Sequence, residues 1–131
     1  MSYTNFTADI TLREDAVLTG SYVVSDVFVQ HPHNYPIVTF LFKVTQGGLT
    51  GLQFYIEGSN DGTTWYRVTS SSIASGAEAL SVVETTRALS GNENFMYSIE
   101  GAKRQRYRVW VKGVGTVTGS SLEIKAAGSD S

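Results

Sequence analysis

Apolar and polar residues alternate along most of this chain, in short segments separated by Gly, Asn, Asp, Ser or Pro. The stretch PIVTFLFKVTQ at residues 36–46 and the stretch GLQFYIEG at residues 51–58 each place apolar side chains at every second position. A period of two is typical of a β-strand with one buried face, and stretches of helical period are nearly absent. The pattern therefore predicts an all-β protein.

Similar segments recur from ADITLRE near the N-terminus to SSLEIKAAG near the C-terminus. They amount to about eight or nine strands without a covering helix, so two sheets must pack face to face or close into a barrel. We predict a single two-sheet β-sandwich of jelly-roll type with antiparallel strands. The glycine-rich TQGGLTG predicts a hairpin between the two stretches named above. The segment 70–79, SSSIASGAEA, has no clear period and predicts a flexible loop.

The chain shows no internal break in composition, and its length suits one hydrophobic core. We expect a short N-terminal arm over residues 1–7, the β-sandwich domain over residues 8–127 and a C-terminal tail over residues 128–131. The tail is predicted from its small and polar residues, which are typical of a frayed terminus.

Composition and charge narrow the range of partners. Hydrophobic residues make up 41% of the chain and charged residues 17%, while Ser, Thr and Gly are frequent, as expected for outward strand positions. The formal net charge of −2 gives no general attraction to nucleic acid or to an anionic membrane, and neither is an expected partner. The absence of cysteine excludes disulfides and zinc–thiolate sites. The chain has neither a visible secretion signal nor an apolar window long enough for a membrane span.

The usual catalytic motifs are missing from the sequence. It contains no GxSxG, no HExxH and no glycine-rich phosphate loop, and its carboxylates are scattered. We therefore expect a protein that is not an enzyme and needs no cofactor. His31 and His33 form a candidate metal pair that resembles the HxH iron site of some trimeric phage tail-tip proteins. Because Pro32 separates them and the chain offers no evident third ligand, a rigid exposed loop is the favoured interpretation.

A basic and aromatic strand is predicted at RYRVWVKG, residues 106–113. Alternation puts Arg106, Arg108, Trp110 and Lys112 on one face. Such a face is either a solvated strand surface, an interface whose anchors are aromatic and arginine residues, or a nucleic-acid site, which the acidic chain disfavours. Further interface candidates are Tyr3 and Phe6 in the arm, and Ile37 and Leu41 on the second face of their strand.

The stretch EGSNDGTTWYR, residues 57–67, predicts a tight turn at Asn60, Asp61 and Gly62. Glycine takes the positive φ that such a turn requires, and the aspartate side chain can accept hydrogen bonds from nearby backbone amides. A calcium loop would need several more oxygen ligands. We therefore interpret the stretch as a structural turn with Trp65 or Tyr66 packed at its base, without deciding which of the two faces inward.

The string YIEGSNDGTTWYRV resembles a hairpin of small β-sandwich virion structural proteins of tailed bacteriophages, encoded near the capsid genes. These chains are also short, cysteine-free and rich in Ser, Thr and Gly. The resemblance implies a non-enzymatic capsid decoration or auxiliary protein that binds and stabilises the assembled shell. It also implies the major capsid protein or other virion proteins as partners, self-association with a trimer favoured, and a place in the virion after synthesis in the host cytoplasm. A tail or neck component is the first alternative.

A similar GSNDGTTW string occurs in galactose-binding-like sandwiches of the discoidin type. The second alternative is therefore a carbohydrate-binding module, in which exposed Tyr55, Trp65, Tyr66 or Trp110 would stack on sugar. Such modules are normally tethered to an enzyme or to a secreted chain, whereas this sequence reads as one untethered domain.

Overall fold

The computed structural model of this 131-residue chain describes residues 7–30, 35–74, 77–82, 84–100, 102 and 104–130. Within these residues the regular structure is entirely β. The strands are β1 (Ile10–Ala16), β2 (Val23–Val24), β3 (Phe28–Val29), β4 (Ile37–Thr45), β5 (Leu49–Ser59), β6 (Tyr66–Arg67), β7 (Thr69–Ala74), β8 (Ala77–Val82), β9 (Glu84–Ala88), β10 (Glu93–Glu100), β11 (Arg106–Gly115) and β12 (Ser121–Ser129).

Ten of these strands form two packed antiparallel sheets, which confirms the predicted β-sandwich. The four-stranded sheet has the order β1-β12-β4-β10. The six-stranded sheet has the order β2-β11-β5-β6, with β3 also beside β11 and β9 also beside β5. With β2 and β3 taken as one interrupted strand, and β6 and β9 as another, each sheet has four positions and the chain crosses between sheets at nearly every connection. This is the strand order of a jelly roll.

Side chains at every second position of the long strands fill the space between the sheets. β11 and β12 bury every second side chain, and β4 does so from Val38 to Val44. Phe42 of the four-stranded sheet meets Phe54 of the six-stranded sheet with ring centroids 4.8 Å apart. Full burial of one such side chain stabilises the fold by about 1.5–3 kcal/mol relative to exposure. The buried apolar residues include Leu12, Leu18, Phe28, Val38, Phe40, Phe42, Val44, Leu49, Leu52, Phe54, Ile56, Tyr107, Val109, Val111, Leu122, Ile124 and Ala126.

The predicted hairpin between β4 and β5 is wrong. β4 pairs with β12 and β10, whereas β5 pairs with β11, β6 and β9, so the connection crosses from one sheet to the other. Its glycines serve a close approach: the amide of Gly48 donates to the carbonyl of Thr118 (3.1 Å), and a Cβ at Gly47 would lie 2.4 Å from the backbone carbon of Gly119. The glycines at 47 and 48 therefore allow the β4–β5 loop to contact the loop before β12, and they do not form a turn between paired strands.

The predicted flexible loop at residues 70–79 is also wrong for its described part. β7 and β8 pair antiparallel from Thr69 opposite Val82 to Ala74 opposite Ala77 and form a third, two-stranded sheet. The segment 70–79 consists mostly of small residues and has Ile73 as its only large apolar side chain, so alternation is not visible in this part of the sequence.

The two ends of the described chain meet beside β1. The amide of Thr7 donates to the carbonyl of Gly128, and the amide of Gly128 donates to Oγ1 of Thr7, both at 2.9 Å. β12 continues to Ser129 and so includes the first two residues of the predicted C-terminal tail.

Candidate functional site

The outward side of the six-stranded sheet carries the largest group of side chains with binding chemistry among the described residues. β11 lies at its centre, and its odd-numbered residues from Tyr107 to Val111 point into the core, so its even-numbered residues point outward. We call this surface the β11 face. Its members are Arg106, Arg108, Trp110 and Lys112 of β11, Tyr55 and Glu57 of β5, Arg67 of β6, Val24 of β2, Val29 of β3, and the adjoining Tyr22 and Trp65.

Arg108 lies between two tryptophan rings and a carboxylate. Its Cζ is 4.0 Å from the ring centroid of Trp65 and 5.4 Å from that of Trp110. Its Nε donates to Oε1 of Glu57 at 2.9 Å, and the indole Nε1–H of Trp110 donates to the same oxygen. The side chains of Arg108 and Glu57 are only 23% and 15% exposed. This ion pair is therefore fixed by packing on both sides, which exposed pairs lack.

Tyr55 is the second centre of the face. It points outward but is only 8% exposed because other side chains cover its ring. The ring stacks on Trp110 with centroids 6.0 Å apart, Tyr22 meets it edge-on at 4.8 Å, and the Cζ of Arg67 lies 3.9 Å from its centroid. Nζ of Lys112 in turn lies 4.8 Å from the centroid of Tyr22. Cations and aromatic rings thus alternate across the sheet, in contacts worth about 0.5–1 kcal/mol each when exposed and more when desolvated.

The described side chains of the β11 face have a positive balance of charge. They include Arg67, Arg106, Arg108 and Lys112, against Glu57, while Glu84 of β9, opposite Tyr55 in register, adds a second acidic position on this side. The chain as a whole carries −2, so the positive groups are concentrated on this side. A surface of this kind attracts acidic partners at a range limited by salt.

Exposed valines border the face on the side of β2 and β3. Val24, Val27 and Val29 are 38%, 37% and 48% exposed, whereas Val23, opposite the buried Val111, lies on the inward side at the sheet edge. Val24 lies directly opposite Trp110, so it extends the aromatic surface with aliphatic area. Sequence reasoning missed these residues. The signal was present in SYVVSDVFVQ, which holds more valines than one inward face of an interrupted strand can bury.

The predicted interface residues do not form one surface. Arg106, Arg108, Trp110 and Lys112 lie together on the β11 face, as alternation indicated. Ile37 and Leu41 are half-buried on β4, on the outward side of the other sheet. Tyr3 and Phe6 lie outside the described residues.

The turn at Asn60, Asp61 and Gly62 joins β5 to β6 beside the β11 face. Oδ1 of Asp61 accepts hydrogen bonds from the amides of Thr63 and Thr64, both at 2.8 Å, and from Oγ of Ser59 at 3.0 Å. These bonds, the amides of Thr64 and Thr63 first, lower the pKa of Asp61 to about 2. Gly62 has a φ of 76°, the left-handed conformation expected of glycine in such a turn.

The same turn is tied to the start of β11. The amide of Gln105 donates to Oδ1 of Asn60 at 2.9 Å, and Nη1 of Arg106 donates to the carbonyl of Asn60 at 2.5 Å. Arg106 therefore anchors the turn to β11. Of the two aromatic residues at its base, Trp65 is half-buried against Arg108, whereas Tyr66 is 57% exposed.

The described residues contain neither a candidate metal site nor a candidate membrane-spanning helix. The metal hypothesis rests on His31 and His33, which lie outside them, and the part of the chain that is described holds no group of three His, Cys, Asp or Glu suited to a metal ion. No helix in that part has the length and apolar character needed to cross a bilayer.

Comparison with known proteins shows similarity in fold to a solved structure. No protein-family model matches the sequence, and no curated protein matches it. Among solved structures, the crystal structure of the SPBc2 prophage-derived protein YomS is similar, with a TM-score of 0.54 and 13% identity, over 98% of this chain and 96% of that chain. The match covers nearly the whole of both chains, so the two proteins share one complete fold.

Proposed function

We propose that this protein is a non-enzymatic structural protein of a tailed-phage particle, a capsid decoration or auxiliary protein that attaches to the shell through its β11 face. The observation that carries the proposal is the β11 face itself, where aliphatic, aromatic and cationic side chains adjoin on a rigid sheet. The similarity in fold to a prophage-derived protein, over nearly the whole of both chains, supports a phage origin.

The chemistry of the face suits adhesion to a protein surface. Tyrosine, tryptophan and arginine are enriched in interface cores because they combine large contact area with polar anchoring groups. Here Arg108 and Glu57 already hold the rings of Trp65 and Trp110 in place, so little side-chain entropy is lost on binding. The positive balance of the face favours an acidic area on the partner, for which we propose the major capsid protein.

A carbohydrate-binding role is the second candidate, and one observation favours it. Tyr66 is 57% exposed and lines a shallow depression of about 230 Å³ together with Asn60, Asp61, Thr64 and Arg104, a combination of aromatic and polar groups that suits a sugar. Against it, the other candidate rings already have partners: Tyr55 is covered by Arg67 and Trp110, Trp65 by Arg108, and Trp110 stacks on Tyr55. A glycan array probed with this protein and with Tyr66→Ala distinguishes the two functions, since only the carbohydrate role requires hits that the substitution removes.

Attachment is tested with purified particles that lack this protein. Lys112→Glu reverses a charge at one end of the outward row of β11, and we expect it to weaken binding at least about tenfold, because like charges across an interface cost several kcal/mol. Lys43→Glu is the matched control, because Lys43 is exposed on the opposite sheet. Binding is measured by co-sedimentation with the particles at several salt concentrations.

The outcomes separate the alternatives. Loss of binding with Lys112→Glu alone supports the β11 face, whereas equal binding of both variants rejects it. Quantifying this protein in purified particles relative to the major capsid protein then locates it. Hundreds of copies indicate decoration of the shell, a handful indicate a tail or neck component, and absence from the particle rejects the structural role altogether.

A further inference from the structure

β10 forms a long, regular edge of the four-stranded sheet. It pairs with β4 over all eight residues from Glu93 to Glu100 without a register shift, and no other described strand pairs with its free side. Its central six residues, NFMYSI, carry no charge. The backbone N–H and C=O groups on the free side of such a strand are available for pairing with another strand.

The other edges of the two packed sheets are interrupted in ways that native proteins use to prevent pairing. β1, at the opposite edge of the same sheet, has register shifts on both sides of Arg13 and carries further charges. In the six-stranded sheet, the edge at β2 and β3 is broken into two strands of two residues each, and the other edge is divided between β6 and β9. Bulges, charges and short strands all discourage strand addition, and β10 has none of them along its centre.

The side chains of β10 also fit a second β10. Phe95, Tyr97 and Ile99 point inward and are only half-buried, while Met96 points outward and is 68% exposed. In an antiparallel pair, residues directly opposite each other lie on the same face of the sheet. A twofold axis at Tyr97 places Phe95 opposite Ile99 of the second copy and leaves every apolar inward side chain opposite another.

The outward side chains and the charge of Glu93 select the same register. With the axis at Tyr97, Met96 lies opposite Ser98, and Asn94 lies opposite Glu100, where the amide can donate to the carboxylate. An axis at Met96 would instead set the charged Glu93 against Ile99, and an axis at Ser98 would set Met96 against Glu100. The Tyr97 register alone avoids both mismatches.

We propose that β10 is a homodimer edge: two copies of this chain pair antiparallel through residues 94–100 about a twofold axis at Tyr97, joining their four-stranded sheets into one. The inference is independent of the proposed function and of the β11 face, which lies on the other sheet. Pairing through β10 produces a dimer, whereas the family resemblance implies a trimer.

A shallow depression of about 230 Å³ adjoins this edge on the outward side. It is lined in part by Leu41 and Met96, which lie opposite each other on β4 and β10, and its rim includes Lys43, Glu123 and Lys125. In the proposed pair, Ser98 of the second copy lies beside Met96. Pairing therefore covers apolar surface that a single copy leaves exposed.

Because the chain contains no cysteine, single cysteines can report the register. Directly opposite residues have Cα atoms about 4.5–5.5 Å apart, within the range of a disulfide, whereas diagonal neighbours are about 7–8 Å apart. We expect Met96→Cys mixed with Ser98→Cys to form disulfide-linked dimers on oxidation, and each variant alone to form almost none. Random exchange in an equal mixture puts about half of the dimers in the linkable combination.

The mass in solution is the second measurement. We expect light scattering with size-exclusion chromatography to give twice the chain mass of 14.2 kDa for the native protein. Met96→Lys combined with Ser98→Lys sets like charges opposite each other and should give monomers. The matched control adds two charges at the other edge of the sheet, Ala8→Lys with Ala16→Lys, and should stay dimeric. Thermal unfolding checks that both variants fold.

Three results would overturn the proposal. A native protein that stays monomeric at high concentration excludes the dimer, and a dimer unaffected by the β10 charges places the contact elsewhere. Cross-linking of Met96→Cys with itself, without the mixed pair, rejects the Tyr97 register.

Discussion

At the scale of single residues, Arg108 does something that a strand pattern does not reveal. Alternation predicts only that Arg108 and Trp110 point the same way. The structure adds Trp65 from the loop before β6 and Glu57 from β5, so that the guanidinium is enclosed on several sides. These contacts join segments about 40 to 50 residues apart in the sequence, and no local pattern encodes such a meeting.

Arg108→Lys tests this enclosure. A lysine keeps the charge but lacks the planar fork that stacks on Trp65 and donates through Nε, so we expect a loss of about 1–2 kcal/mol in the free energy of unfolding. Trp65 and Trp110 are the only tryptophans in the chain, and both contact Arg108. Their fluorescence should therefore shift to longer wavelength as water reaches the rings.

The control for that experiment is Arg87→Lys. The Cζ of Arg87 lies 4.4 Å from the ring centroid of Phe95, so this variant also removes a guanidinium from an aromatic ring, but not from a tryptophan. Its fluorescence should match that of the native protein. A native-like spectrum for Arg108→Lys would show that the guanidinium does not shield the indoles.

At the scale of elements, the β5–β6 connection shows how a short motif sets a turn. The carboxylate of Asp61 accepts hydrogen bonds from two backbone amides and a hydroxyl, and these bonds are stronger to its ionised form than to its protonated form. Its pKa is lowered to about 2, so this contribution is complete above the ordinary aspartate pKa of about 4 and is lost as the pH falls through about 2.

Asp61→Asn makes this pH dependence measurable. The amide side chain is a weaker acceptor and does not titrate, so the variant should melt at a lower temperature than the native protein at pH 7. The difference in melting temperature should narrow between about pH 4 and pH 2, where the aspartate of the unfolded chain gains its proton before that of the folded chain does. Asp9→Asn, outside the turn, is the control. A gap that stays constant over this range would mean that the charge of Asp61 does not stabilise the turn.

Sequence patterns predicted the strands better than the connections between them. The β5–β6 turn was predicted because Asn60, Asp61 and Gly62 act within their own segment. The β4–β5 connection was predicted wrongly because Gly47 serves a contact with a distant loop, near Gly119, that a local pattern does not contain. Glycine marks a backbone requirement, and the sequence alone does not distinguish a turn from a close approach.

At the scale of the whole molecule, the jelly roll could be predicted because alternation without helices leaves few architectures. The site could be predicted only in part. β11 supplied a correct row of outward residues, but the valines beside it went unnoticed, and Leu41 was assigned to the same function although it lies on the other sheet. The order of strands in each sheet decides which outward side chains are neighbours. That order is set by pairing between strands far apart in the sequence.

The sandwich depends on aromatic contacts between its two sheets, and Phe54 is central to them. It is 2% exposed on β5 and lies against rings from the opposite sheet: Phe42 at 4.8 Å, Phe95 at 6.1 Å and Tyr97 at 5.8 Å between centroids. Phe54→Ala leaves a cavity between the sheets and should cost about 3–5 kcal/mol. Single domains have only about 5–15 kcal/mol of stability, so the loss is a large share of the total.

Urea unfolding followed by fluorescence measures that loss, with Tyr66→Ala as the matched control. Both substitutions remove an aromatic ring, but Tyr66 is 57% exposed, so its loss should change the free energy of unfolding by less than about 1 kcal/mol. If the sheets unfold as one unit, Phe54→Ala lowers the midpoint and leaves the slope unchanged. A reduced slope, or a second transition, would mean that the two sheets unfold separately, and an effect no larger than that of Tyr66→Ala would contradict the central position of Phe54.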